Sequence, residues 1–105
     1  MLVTKANTKK DIQNAILDSK DVLTRLGVKS IGLFGSFVKD KVKDSSDIDL
    51  LVDFIPEKKS YDNFMELAFF LEDILGRKVE IVTPQSLSKF IGPYILKEVE
   101  NVYQS

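Results

Sequence analysis

The chain contains neither cysteine nor histidine. Without thiols there can be no disulfide, no thiolate metal site and no sulfur nucleophile, a pattern compatible with a reducing compartment. Without imidazole the commonest general base and the commonest zinc ligand are gone as well. Any chemistry must therefore rest on carboxylates, lysines, hydroxyls or a hard metal ion held by oxygen. No apolar run approaches the roughly 20 residues of a membrane-spanning helix. The opening stretch "MLVTKANTKKD" has no apolar centre of the kind a secretory signal carries, so a cytoplasmic location is expected. An excess of one charge is missing too: 15 Lys and Arg stand against 16 Asp and Glu, for a net charge of -1. No global basic field recruits nucleic acid, and no direct nucleic-acid binding is expected. Polyphosphate, if handled at all, is handled locally.

What is present suits one ordinary globular domain over residues 1–105, with 44% hydrophobic and 30% charged residues. Ile12, Ala15, Ile16, Val22, Leu23 and Leu26 recur at helical spacing and predict a helix from Thr8 to Leu26. Thr8 with Asp11 forms its capping box, and Gly27 stops it. "VKSIGLFG" reads as a buried strand and "SDIDLLVDF" as a second one, ended by Pro56, with the polar loop "KDKVKDSS" between them. A long helix runs from Ser60 to Leu75 and closes at Gly76. Its apolar residues wrap more than half its circumference, so Phe69 and Phe70 are either covered by the chain's own core or turned toward a partner. "RKVEIVTP" is a third strand. A last helix begins near Pro93, and an edge strand follows at Val102 and Tyr103. The order helix, strand, strand, helix, strand, helix predicts an α+β domain: a mixed sheet with helices packed on one face.

The second strand carries the anomaly. Strand side chains alternate between faces, so Asp47 and Asp49 project to the same side while Ile48 and Leu50 project to the other. Two carboxylates about 5 Å apart at an effective dielectric near 20 repel by about 3 kcal/mol, a large fraction of a small domain's stability. Either the pair merely solvates a strand end, or a divalent cation neutralises it. In a chain without histidine or cysteine the natural agent is a hard divalent cation, and Mg²⁺ takes one or two carboxylates and completes its shell with water and phosphate oxygens. Upstream, Gly35-Ser36 directly follows the first strand. Alone the dipeptide is a plain turn. Beside an acidic pair it describes a triphosphate site, with backbone amides and a hydroxyl on one side and a metal on the other. Lys39, Lys41 and Lys43 lie near that turn but alternate with Asp40 and Asp44, which reads more simply as a solvated loop; Lys39 is the best phosphate contact among them.

Gly-Ser, ten intervening residues and Asp-x-Asp, here Gly35, Ser36, Asp47 and Asp49, resemble the signature of the DNA polymerase beta-like nucleotidyltransferases. The short chain, with "SDIDLLVDF" and "GRKVEIVTP", looks like the minimal nucleotidyltransferase (MNT) group. The resemblance implies the polymerase-beta-like fold and transfer of a nucleoside monophosphate, most simply AMP from ATP, onto a hydroxyl. It implies two Mg²⁺ ions held by Asp47, Asp49 and a third carboxylate, by position Glu80, and phosphates held by Gly35, Ser36 and Lys39. It further implies a HEPN-type protein partner, with the transferase acting as antitoxin to a HEPN ribonuclease. Self-association is left open. Two features depart from the family pattern: relatives usually carry aspartate where this chain has Glu80, and the usual Ala-Arg-Gly-Glu run is Val38-Lys39-Asp40-Lys41. They define the competing expectation, a protein-binding antitoxin module with weak or no turnover that silences its partner by complex formation alone.

Overall fold

The computed structural model describes residues 5–39, 42–43 and 45–105. Asp40, Lys41 and Asp44 of the polar loop lie outside the described residues. The predicted first helix is two helices, α1 (Lys9–Leu17) and α2 (Lys20–Arg25). Its opening matches the expectation in one half of the capping box: Thr8 Oγ1 accepts from the Asp11 amide at 3.1 Å, whereas the Asp11 carboxylate accepts from the Asn7 amide, at 3.0 Å, instead of that of Thr8. The break falls at Asp18-Ser19, where Ser19 leaves helical geometry (ψ 20°) and donates its hydroxyl to the Ala15 carbonyl at 2.9 Å. A short polar side chain that bonds the preceding turn competes with the helical ladder, and apolar periodicity does not register that competition.

The strands are β1 (Val28–Phe34), β2 (Ile48–Phe54), β3 (Val79–Val82) and β4 (Glu100–Gln104), in the order β3-β2-β1-β4. β2 runs antiparallel to β1 and parallel to β3, and β4 pairs antiparallel with β1, so the sheet is mixed as expected. β2 alternates cleanly: Ile48, Leu50, Val52 and Phe54 are buried, while Asp49, Leu51 and Asp53 are only half-buried. The buried side packs with Ile12, Ile16, Leu23, Leu67, Leu71 and Leu75 of the helices into one continuous core.

The long helix α3 (Tyr61–Leu75) has the predicted ends. Ser60 accepts from the Asn63 amide at 3.1 Å, and Gly76 closes it in the left-handed region (φ 64°). Its apolar surplus divides: Phe70 packs against the core, whereas Phe69 is 61% exposed. After β3 comes α4 (Gly92–Glu98), which feeds β4. Here Gly32 of β1 is essential, because a Cβ on it would stand 2.4 Å from Val99 Cγ2. The missing side chain lets the α4 to β4 junction lie flat on the central strand.

Candidate functional site

The turn after β1 is a single 3-10 turn, Gly35–Phe37, and its shape depends on glycine. Gly35 has φ 78°, and a Cβ on it would lie 2.2 Å from Asp49 Oδ2. The backbone of the turn is thus pressed directly against the carboxylate, a contact only glycine permits. Val38 and Lys39 donate their amides back to the Gly35 carbonyl, at 3.1 and 3.2 Å, and close the loop. Phe37, fully buried, roots the turn in the core.

Asp49 is in register with Phe34 on one side and Glu80 on the other. Its carboxyl is pushed up from the ordinary carboxylate range to about 6, first by burial, then by the charges of Glu80 and Asp47, a hydrogen bond with Glu80 and the charge of Glu98. The conflict expected from the sequence is real, but the Glu80 charge on the neighbouring strand weighs more in it than that of Asp47. Asp47, one residue ahead of β2, is exposed and presses on Asp49 through charge. Among the described residues no three acidic side chains are disposed as a ready metal cage. The donor set still suits Mg²⁺: Asp49 and Glu80 are in register on neighbouring strands, Asp47 presses on Asp49 by charge, and the Gly35 turn lies directly against the Asp49 carboxylate.

Sequence reasoning missed two residues. Glu98, at the end of α4, accepts from the Gly35 amide at 3.2 Å and pairs with Lys39 at 3.3 Å. Nothing local marks it, since it arrives from the far end of the chain. Arg77, which precedes β3, is 6% exposed. It donates to the carbonyls of Ala6, Lys43 (3.0 Å) and Ser46 (2.9 Å) and to Asn7 Oδ1 (3.1 Å), and it lies 5.1 Å from the centroid of the Phe37 ring. One guanidinium therefore ties the turn bearing Gly35 to the segment delivering Asp47.

A model of the nucleotidyltransferase domain family matches residues 19–104. The chain is a nucleotidyltransferase. This nucleotidyltransferase is 44% identical over 80 residues to protein adenylyltransferase MntA of Thermococcus cleftensis, covering 76% of the chain and 80% of that protein. It resembles the solved structure of a minimal nucleotidyltransferase with a TM-score of 0.69 and 28% identity, covering 86% and 94% of the two chains. It also has the fold of a chain in a toxin–antitoxin complex with AMP-PNP (TM-score 0.67, 23% identity, 89% and 73% covered). The same fold occurs in a tri-AMPylated Shewanella oneidensis HEPN toxin complexed with its MNT antitoxin (TM-score 0.59, 21% identity, 90% and 73% covered). The expected polymerase-beta-like fold is thereby established for this chain. Among the described residues no helix is long and apolar enough to cross a membrane.

Proposed function

We propose that this nucleotidyltransferase is a single catalytic domain over residues 1–105 that adenylylates a partner protein, moving AMP from ATP onto a hydroxyl of a HEPN-type toxin and so acting as its antitoxin. The observation that carries the reading is the contact between Gly35 and Asp49, which sets a phosphate turn against a carboxylate whose charge is unsettled. The names of the similar proteins, a protein adenylyltransferase and an MNT antitoxin beside an AMPylated toxin, support both donor and acceptor class.

In this scheme Gly35, Ser36 and Lys39 receive the β- and γ-phosphates, through backbone amide, hydroxyl and ammonium. Asp47, Asp49 and Glu80 would hold Mg²⁺, which when bound offsets charge between carboxylates and phosphates and on the leaving oxygens. The acceptor oxygen bonds to the α-phosphorus, the bond to the bridging oxygen breaks, and pyrophosphate leaves with that electron pair. The hydroxyl proton passes to a carboxylate of the site, and Glu80, in register with Asp49 on the neighbouring strand, is placed to take it. Binding without turnover is favoured by one observation, the longer side chain of Glu80 where relatives usually carry aspartate.

One experiment separates the two readings. Labelled ATP, Mg²⁺ and the copurifying partner are incubated with wild-type protein and with Asp49→Asn. Label on the partner with wild type, reduced about a thousandfold or more with the variant, is the expected result. Partner inhibition without label would establish the binding module instead.

A further inference from the structure

Glu98 is placed with unusual care for a residue at a helix end. It is the last residue of α4, and its neighbour Val99 is seated in the space left by the missing side chain of Gly32. The Val99 amide is tied to Ile95 at 2.9 Å, so the backbone at this point has little freedom. From there the carboxylate reaches the phosphate turn with both oxygens used: Oε1 on the Gly35 amide at 3.2 Å and Oε2 on the Lys39 ammonium at 3.3 Å. These are a backbone donor and a cation, the two kinds of group that hold a phosphate.

We infer that Glu98 is an internal competitor for the phosphate turn: in the nucleotide-free chain its carboxylate occupies the Gly35 amide and the Lys39 ammonium, and a triphosphate binds only by displacing it. The inference rests on the nucleotide site proposed above. A negative carboxylate and a negative phosphate cannot share one amide and one ammonium, so the affinity measured for nucleotide is lowered by the fraction of time Glu98 occupies them.

The test uses the full chain and Mg·ATP, with affinity measured by calorimetry and the backbone amides of Gly35 and Lys39 followed by NMR. Glu98→Ala should bind Mg·ATP at least about fivefold more tightly than wild type, with Glu98→Gln between them, since the amide side chain keeps the hydrogen bond to Gly35 and loses the charge on Lys39. In both variants the Gly35 and Lys39 resonances should move before any ligand is added. Glu100→Gln, which removes one exposed charge from the same edge of the sheet, should stay within about twofold of wild type. Equal or weaker binding by both Glu98 variants overturns the inference and leaves the nucleotide site standing, with Glu98 merely supporting the turn. An equal gain from Glu100→Gln also overturns it, since the effect would then be general charge. Mg·ATP binding by none of these proteins removes the nucleotide site itself, and the competitor with it. Should Glu98→Ala fail to give a folded amide spectrum, the Glu98→Gln comparison decides alone.

Discussion

Arg77 and Asp49 sit on opposite flanks of the same turn, and the fold treats them in opposite ways. Arg77 is the more deeply buried, yet its guanidinium is surrounded by carbonyl oxygens and an aromatic face, and among the described residues no buried side-chain polar atom lacks a partner. Asp49 is only half-buried but faces Glu80, Asp47 and Glu98, so its surroundings disfavour its charge. A charge used for construction has its needs met by the backbone. The charge to which the proposed mechanism gives a chemical role is left in conflict, which a cation or a proton would resolve.

The contrast can be attacked from both flanks. The largest expected effect is on the satisfied side: Arg77→Met keeps the volume but abandons several buried carbonyls, and should lower unfolding stability by about 3 kcal/mol in a urea titration. Arg77→Lys should recover only part of that, because an ammonium cannot span the carbonyls of two separate segments. Next comes Gly35→Ala, which forces a side chain into the left-handed region and onto Asp49. A loss of about 1–2 kcal/mol in the same titration is expected, with AMP transfer reduced tenfold or more.

The conflicted side gives a smaller effect with a distinctive sign. Folding raises the Asp49 carboxyl from 3.8 to about 6, so the native state holds that proton after the unfolded chain has released it. Its contribution to stability is full below pH 3.8, falls as pH rises through the window from about 4 to 6, and is constant above. For a half-buried group the cost is screened to about 1 kcal/mol. Asp49→Asn should therefore gain about 1 kcal/mol relative to wild type between pH 4 and pH 7 in metal-free buffer. A difference that is flat across this range would mean that Asp49 is not in conflict. The smallest effect is the control: the exposed pair Lys9 and Glu100, 3.0 Å apart, serves neither purpose, and Lys9→Ala should change the urea midpoint by less than about 0.5 kcal/mol.

Much of this was legible in the sequence where one period governs one element. The ends of α3 follow from Ser60 and Gly76, and the alternation of β2 from Ile48 to Phe54 follows from its own residues. The turn at Gly35 and its meeting with Asp49 were foreseen as spacing, and the register confirms the approach. The break between α1 and α2 was hidden because Ser19 acts through a hydroxyl bond that apolar spacing cannot reveal. Glu98 and Arg77 were hidden for a different reason: each acts across the tertiary structure, on partners dozens of positions away in the chain. Local patterns announce residues that organise their own element, and stay silent on residues that join distant ones.

The strand order has a kinetic side. β1 is central, but one of its two neighbours, β4, comes from the far end of the sequence, pairing Ser30 with Gln104 and Ile31 with Tyr103. Until that long loop closes, β1 offers Ile31 and Leu33 along an unprotected edge, open to pairing with another molecule. Folding of this domain should therefore be slow for its size, and trimming β4 should show first as aggregation during refolding rather than as a lower melting temperature.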